Sequence, residues 1–350
     1  MTMRRTLLSL LTALSLSVAL AACGDDTEEP TASDGESSAG AEAADVFPVT
    51  VEHAFGSTTI ESKPERIATV AWANHEVPLA LGVVPVGMSE ASWGDDDGDG
   101  VLPWVEEKLE ELGADTPALF DETDGIAFEA VAATQPDLIL ATYSGLTETE
   151  YETLSKIAPV VAYPDIAWAT TVQDMITLSS TAMGMADEGE ALVADLDAQV
   201  QEAYASHPEL DGKSIMFSYI DPTDLSQVGF YTTHDTRPGF LADMGMTMPE
   251  VVTTASAETE EFYVTRSAED LDAFDDVDIF VTYGDAEGEL VDTITSDPVL
   301  SQIPAIERGS IAVLEDSTPL AASANPSPLS IGWGIEEYFD LLAAAVAPAA

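Results

Sequence analysis

From Val46 onward, short continuous runs of apolar residues alternate with segments in which apolar residues recur at helical spacing. Continuous apolar runs are typical of strands that are buried on both faces of a parallel sheet. Strands are predicted over residues 67–71, 83–88, 137–142, 160–163, 214–219, 277–283 and 311–314. Helices are predicted over residues 75–81, 104–112, 127–134, 148–157, 267–274 and 331–346. This alternation predicts an α/β fold.

The segment 170–207 interrupts this alternation, because it contains no strong helix breaker other than Gly184 and Gly189. Its apolar residues follow helical spacing and predict one helix on the order of 50 Å long. So long a helix suits a rigid link between two α/β halves. The sequence therefore predicts an N-terminal lobe over residues 46–169 and a C-terminal lobe over residues 208–350, each with a Rossmann-like α/β arrangement.

The N-terminus has the pattern of an export signal. Arg4 and Arg5 precede an apolar run over residues 7–20, which is short for a membrane span and ends in small residues. The run closes on Leu-Ala-Ala-Cys-Gly, which resembles a bacterial lipobox. It predicts that residues 1–22 are a lipoprotein signal peptide and that Cys23 is lipidated. An ordinary signal peptide with a chance cysteine is the alternative.

Residues 23–45 are rich in Asp, Glu, Ser, Ala and Gly and contain no aromatic residue. This composition predicts a flexible, self-repelling acidic tether. The folded part is therefore expected on the extracytoplasmic face of the cell membrane, held there by a lipid anchor. A single cysteine also excludes a disulfide framework and metal sites built from several cysteines.

Acidic residues dominate the charge of the chain. Ten Lys and Arg against 65 Asp and Glu give 10 − 65 = −55. Removal of residues 1–22, which contain two arginines and no acid, changes this to 8 − 65 = −57. Nucleic-acid binding is excluded, because phosphate contacts need clustered Lys and Arg. A hydrophobic share of 46% distinguishes the chain from a disordered polyanion.

The sequence lacks the common catalytic motifs. Its four histidines, His53, His75, His207 and His234, form no H-E-x-x-H pair, and there is no G-x-S-x-G elbow or Walker-type loop. A non-catalytic protein is therefore predicted. An extracellular α/β hydrolase is the alternative from the enzyme class.

Several segments resemble one known family in their order and spacing. They are 64–69 (Pro-Glu-Arg-Ile-Ala-Thr), 80–87 (Ala-Leu-Gly-Val-Val-Pro-Val-Gly), 129–140, 267–269 and 327–338. Over about residues 46–346 the chain resembles periplasmic or lipoprotein substrate-binding proteins of ABC importers for iron–siderophore complexes, haem and cobalamin. It is most similar to the actinobacterial iron–siderophore group.

This resemblance implies two α/β lobes joined by one long helix, with no catalysis and no resident cofactor. It also implies a ferric siderophore as the transported ligand and an ABC permease dimer as the partner. We expect a monomer. A haem or cobalamin receptor of the same family is the alternative, and haem would take an axial ligand such as His75, Tyr143 or Tyr263.

Binding a bulky ferric siderophore requires aromatic walls and a few polar donors on loops that follow strands. Arg237 and Arg266 are the stronger candidates, because cations are scarce here and the matching segments approach the ligand in the family. The predicted ligand-binding residues are Trp72, His75, Trp93, Tyr143, Trp168, Tyr231, Arg237, Tyr263 and Arg266. Core packing of the aromatic residues and surface ion pairs of the arginines are the alternatives.

The charge also bears on the class of siderophore. A surface charge of −57 repels trianionic ferric catecholates at low salt. Neutral or cationic ferric hydroxamates are therefore favoured over catecholates.

Residues 95–106 match the calcium-loop pattern D-x-[DN]-x-[DN]-G-x5-E through Asp95, Asp97, Asp99 and Glu106. A solvated acidic loop is the alternative, because so acidic a chain produces such matches by composition. No metal ligands are assigned, and calcium at this loop is left open.

Glu129 and Glu269 are predicted to contact the permease. Each lies the same distance before a predicted buried strand, since 137 − 129 = 277 − 269 = 8. In the family that the chain resembles, one glutamate at a helix start in each lobe pairs with permease arginines. The alternative is that an acidic residue is favoured at any helix N-terminus by the helix dipole.

Overall fold

The computed structural model describes residues 46–346. The predicted signal peptide 1–22, the tether 23–45 and Cys23 lie outside the described residues. Within residues 46–346, no helix is both long and apolar enough to cross a membrane.

The N-terminal half is built on a parallel sheet. Its strands are β1 (Val49–His53), β2 (Gly56–Ile60), β3 (Ile67–Thr69), β4 (Gly87–Ser89), β5 (Ala118–Phe120), β6 (Leu138–Ala141) and β7 (Val160–Ala162). Strands β1 and β2 form an antiparallel hairpin, and the other five form a parallel sheet in the order β5-β4-β3-β6-β7. The helices between them are α1 (Glu76–Ala80), α2 (Pro103–Leu112), α3 (Phe128–Ala133) and α4 (Glu148–Leu154).

Two helices, α5 (Val172–Ala182) and α6 (Ala186–Ala205), occupy the segment for which one long helix was predicted. That single helix is wrong, because the chain turns at Gly184, which has a φ of +70°. The helices lie antiparallel, since Gln173 donates to Asp197 at 3.1 Å and a Cβ on Gly189 would collide with Ser180. At about 1.5 Å per residue, the 20 residues of α6 span roughly 30 Å.

The C-terminal half contains a second five-stranded sheet. Its strands are β8 (Ile215–Tyr219), β9 (Gln227–Tyr231), β10 (Tyr263–Ser267), β11 (Ile279–Gly284) and β12 (Ile311–Glu315), in the order β10-β9-β8-β11-β12. Strands β8, β11 and β12 are parallel, whereas β9 pairs antiparallel with both β8 and β10. The helices are α7 (Thr236–Asp243), α8 (Glu250–Glu258), α9 (Glu289–Ser296), α10 (Pro304–Glu307), α11 (Pro319–Ser323) and α12 (Ser330–Val346).

The helix predicted over residues 267–274 is also wrong. Ser267 belongs to β10, where it pairs with Gln227, and a turn follows it. Only Leu271–Phe274 is helical, as a single 3₁₀ turn. The ladder with β9 extends the strand into the predicted start of the helix.

One hydrophobic cluster joins the two halves. It contains Val77 and Tyr143 from the N-terminal half, Leu196 from α6, and Phe217 and Phe280 from the second sheet. The predicted α/β class, with one sheet in each half, is confirmed. Loops that follow strands of the two sheets also meet, since Trp93 after β4 donates to Asp316 after β12, and open α/β sheets bind ligands at such carboxyl edges.

Candidate ligand-binding cleft

A cavity of about 350 Å³ lies at the carboxyl edge of the first sheet. Four of its lining residues lie at or just after the ends of strands. Trp72 comes after β3, Ser89 ends β4, Glu122 comes after β5, and Ser144 comes after β6. Parallel strands place such positions side by side. The lining residues are Ala71, Trp72, Ser89, Glu90, Ser92, Glu122, Thr123, Gly125, Ile126, Ser144, Gly145, Leu146, Glu150 and Trp168.

The two indoles of this cavity are carried by backbone that includes residues with positive φ. Trp168 has a φ of +61°, and Trp72 is flanked by Ala71 and Ala73 with φ of +62° and +61°. For an L-residue with a Cβ, the left-handed region costs roughly 1–2 kcal/mol per residue. A Cβ on Gly145 would collide with the Trp168 indole, so glycine is needed there. The surrounding packing holds both tryptophans in positions that an unconstrained chain would avoid.

Aromatic rings connect this cavity to the second sheet. The rings of Trp72 and Trp93 are 6.4 Å apart, and Trp93 meets the ring of Tyr283 edge-on at 5.5 Å. Asp316 accepts a hydrogen bond from the Trp93 indole at 3.1 Å. Tyr283 in turn packs on Phe217 at 5.6 Å. A continuous aromatic wall thus runs from the N-terminal half into the C-terminal half.

Arg237 lies at the C-terminal end of this wall. Asp235, the N-cap of α7, accepts two hydrogen bonds from its guanidinium at 2.7 Å each, and the Tyr283 hydroxyl accepts another at 3.2 Å. Burial lowers the pKa of Arg237, but Asp235 more than offsets this, and the pKa lies well above its usual value. Arg237 is therefore permanently charged. Three of its five N–H donors have these partners, which leaves two for a ligand.

Tyr231 and Tyr263 extend the wall on the other side of Arg237. These residues are direct partners in the β9–β10 ladder, so their side chains project from the same face, with rings 5.2 Å apart. Gly229 makes room for Tyr263, since a Cβ there would collide with the Tyr263 hydroxyl. Tyr219 and Phe262 nearby in the same half are 44% and 38% exposed, which is unusual for such large apolar side chains.

Tyr143 is buried where the two halves meet. Its hydroxyl donates to Thr236 Oγ1 at 3.1 Å and accepts from Asn325 Nδ2 at 3.3 Å. Burial, with a smaller contribution from Asp235, raises the pKa of Tyr143. Its ring packs edge-on against Trp168 at 5.3 Å. Tyr143 therefore links the halves beneath the cleft instead of presenting a free hydroxyl.

His75 and Arg266 are not part of this wall. His75 is buried at the start of α1 beside a cavity of about 20 Å³, and burial lowers its pKa to about 4. Arg266 is three residues from Tyr263 on β10, and an odd separation on a strand puts the two side chains on opposite faces. It pairs with Asp270 at 3.1 Å, beside α8. These placements put both residues away from the aromatic wall, and contact of either with the ligand stays a prediction.

The sequence does not single out Tyr283, Glu122, Asp316 or Asn325. Tyr283 could have been identified from the sequence as a site residue, because it comes at the end of a predicted buried strand, where ligand-binding residues of α/β sheets occur. Glu122 and Asp316 are two of 65 acids, and nothing in their sequence neighbourhood distinguishes them.

The loop that matches the calcium pattern is ordered by its own acids. Asp95 accepts the N–H groups of Asp97, Gly98 and Gly100 at 2.7–3.0 Å, and Gly100 has a φ of +86°. Carboxylate oxygens of Asp95, Asp97 and Asp99 lie within 4.8 Å of one another. The same contacts also order a solvated acidic loop, so they leave both interpretations in place.

The two predicted permease contacts are exposed. Glu129 lies in the first turn of α3, as expected. Glu269 lies in the turn after β10 and not at a helix start. Strand β10 runs parallel to β8, because both are antiparallel to β9. Its end therefore lies toward the carboxyl edge of the second sheet, the edge at which the cleft forms.

Comparisons with known proteins agree with this geometry. Residues 67–318 match the family model described as "Periplasmic binding protein". The crystal structure of PiaA from Streptococcus pneumoniae TIGR4 in complex with ferrichrome has a TM-score of 0.81 and 45% identity, and covers 85% of this chain and 98% of that one. A periplasmic solute-binding protein from Mycobacterium smegmatis has a TM-score of 0.68 and 28% identity, covering 85% and 98%. "Probable siderophore-binding lipoprotein YfiY" of Bacillus subtilis is 28% identical, covering 87% of this chain and 91% of its own length. The chain belongs to the periplasmic binding protein family.

Proposed function

We propose that this protein is a non-catalytic receptor that captures a ferric siderophore outside the cytoplasmic membrane and delivers it to an ABC importer. The main support is the aromatic wall that surrounds Arg237 where the two halves meet. Such a wall suits a bulky chelate with an apolar rim, and the free N–H donors of Arg237 suit its chelating oxygens. The similarity to PiaA, which was solved with ferrichrome, points to the same ligand class.

A ferric hydroxamate fits this cleft better than a ferric catecholate. The charge of Arg237 is largely compensated by Asp235, with which it forms a two-pronged ion pair. A trianionic complex needs several uncompensated cations, and the aromatic wall offers none besides this one. A neutral or cationic complex meets no such requirement.

Haem is less well supported by the placement of its candidate axial ligands. The Tyr143 hydroxyl is already engaged by Thr236 and Asn325, and His75 is buried beside a cavity of only about 20 Å³, which is too small for haem. Tyr263 alone remains on the wall. Absence of a Soret band shift on mixing with hemin would remove haem as a ligand.

The lipid anchor at Cys23, the monomeric state and docking through Glu129 and Glu269 belong to the same proposal. YfiY, a relative, is described as a lipoprotein, which supports the anchor. Both glutamates are exposed at the carboxyl edge of a sheet, so a permease could contact both lobes while facing the cleft. We assign no resident cofactor and no enzyme activity.

Titration of tryptophan fluorescence with ferrichrome tests the binding function. Trp72, Trp93 and Trp168 lie on the cleft, so a bound ferric complex should quench their emission saturably. Ferric citrate and a ferric catecholate serve as competitors. A lack of saturable quenching by every ferric hydroxamate tried would reject the proposal.

The loop 95–106 is tested separately. A rise in melting temperature in millimolar calcium relative to chelator, lost in Asp95→Asn, identifies a calcium loop. Equal melting temperatures identify a solvated acidic loop.

A further inference from the structure

The cavity between Trp72 and Trp168 contains carboxylates and no base. Glu90, Glu122 and Glu150 line it, and none of the lining residues is Lys, Arg or His. The most positively charged group a ligand could meet in the cleft is therefore Arg237, which belongs to the other half. A ligand that spans the cleft therefore meets the compensated Arg237–Asp235 pair at one end and three carboxylates at the other.

Glu122 is held in this cavity by a backbone contact and by burial. Its Oε2 accepts the N–H of Ala71 at 2.8 Å. Its Oε1 is buried and has no aligned hydrogen-bond partner among the described residues, although the Ser89 hydroxyl lies close by. Burial raises the pKa of Glu122, and the Ala71 and Ser89 contacts oppose the shift. A carboxylate that lines a cavity with no Lys, Arg or His among the lining residues is complementary to a ligand N–H⁺.

The three carboxylates are too far apart for a metal ion. Among the described residues, the only set of three or more acidic or histidine groups whose ligand atoms converge within 4.8 Å is Asp95, Asp97 and Asp99. A cavity with separated carboxylates between two indole walls suits an organic cation instead. An ammonium group there would form charge-assisted hydrogen bonds and also contact the faces of Trp72 and Trp168.

Charges outside the cavity also favour a cationic ligand over an anionic one. Asp235 compensates Arg237, and Asp316 accepts the hydrogen bond from Trp93 at the junction with the second sheet. The mature chain carries 8 − 65 = −57 overall. A cationic complex is attracted by this field during encounter, whereas an anionic complex is repelled.

We propose that the cavity beside Glu122 is a subsite for a protonated amine of the ligand, so that the preferred cargo is a ferric hydroxamate bearing a free ammonium group. This inference rests on the proposed siderophore-binding function. The ferric hydroxamate core contacts the wall around Arg237, and the ammonium group enters between Trp72 and Trp168. Glu122 then selects among hydroxamates that present the same iron centre.

Ferrioxamine B and its N-acetyl derivative test this directly, because they share one iron centre and differ in the charge of the terminal amine. Affinities are measured by fluorescence titration for the wild type, Glu122→Gln and Glu152→Gln. Glu152 is exposed on α4 and does not line the cavity, so its variant changes the net charge equally. The wild type should prefer ferrioxamine B by about tenfold or more, the size expected of one charge-assisted contact in a partly buried site. Glu122→Gln should abolish the preference, and Glu152→Gln should keep it.

Ferrichrome lacks an amine, so its binding tests the receptor function independently of the ammonium subsite. If ferrichrome binds but the wild type does not distinguish ferrioxamine B from its N-acetyl form, the ammonium subsite is rejected while the receptor function stands. Equal weakening of all three ligands by Glu122→Gln also rejects the subsite, because it indicates a general structural effect. If no ferric hydroxamate binds, the receptor function itself is rejected.

Discussion

The guanidinium carbon of Arg237 lies 3.8 Å from the centroid of the Tyr231 ring. This stacking fixes the plane of the guanidinium, while Asp235 holds its Nε and Nη2 edge at 2.7 Å. The two remaining N–H donors, one on Nη1 and one on Nη2, are consequently held in fixed directions. An arginine held in this way is preorganised for the chelating oxygens of a ferric complex.

We predict that Arg237→Lys weakens ferrichrome binding by about tenfold, or about 1.4 kcal/mol. Lysine keeps a positive charge beside buried Asp235, so the fold avoids an unpaired buried carboxylate, but it cannot reproduce the planar fork. Arg266→Lys is the matched control, because Arg266 lies on the opposite face of β10 and should leave affinity unchanged. Fluorescence titration measures both. An equal loss in the two variants would place Arg266 in the site and contradict the assignment.

Tyr143→Phe should reduce the free energy of unfolding by about 1–2 kcal/mol. The change removes only a hydroxyl, but it leaves the Asn325 amide without its acceptor at the junction between the halves. Denaturant melts at constant ligand concentration measure the effect. Tyr151→Phe is the control, because its hydroxyl has contacts only at 3.4 Å and should cost much less. Equal losses in both variants would show that the junction contributes nothing specific.

Strands buried on both faces were predictable because burial on both faces selects unbroken apolar runs. The predicted strand 137–142 contains β6, and 160–163 contains β7. Strand β5 was not predicted, because it has only three residues and two of them are not buried. Strands β1 and β2 were not predicted either, since only alternate positions of the hairpin are buried.

The break between α5 and α6 depends on a contact distant in sequence. Gly184 is a weak breaker by itself, but the Phe47 ring packs so closely against it that a Cβ would lie 2.6 Å from that ring. The orientation of side chains at the candidate site likewise depends on structure that the local sequence does not reveal. Aromatic residues after strands are recognisable locally, whereas the opposite faces of Tyr263 and Arg266 follow only once β10 is known to be a strand, which was not predicted. Residue spacing alone could not supply either fact.

His75 should make the protein less stable as the pH falls. Its folded pKa is lowered from 6.5 to about 4, so the unfolded chain takes up a proton between these values while the folded protein does not. A difference of about 2.5 pH units corresponds to roughly 3 kcal/mol. His75→Gln should therefore flatten the dependence of melting temperature on pH between 6.5 and 4. The two proteins are compared by thermal melts across this range. Parallel profiles would show that His75 does not titrate as its burial requires.

Glu129 and Glu269 are predicted to dock the protein on the permease. Glu129 and Glu269 are exposed and lie in separate halves of the chain, so neither should affect the cleft around Arg237. Charged contacts at the rim of an interface govern recognition of the partner and the rate of association. They should not change the affinity of the cleft for its ligand. The double variant Glu129→Ala with Glu269→Ala should therefore bind ferrichrome like the wild type but lose iron uptake in cells. Glu152→Ala with Glu258→Ala removes the same charge from other exposed positions and should leave uptake intact. Wild-type uptake by the first pair, or equal loss of uptake in both pairs, would show that the acidic surface acts as a whole and that these two glutamates are not specific docking residues.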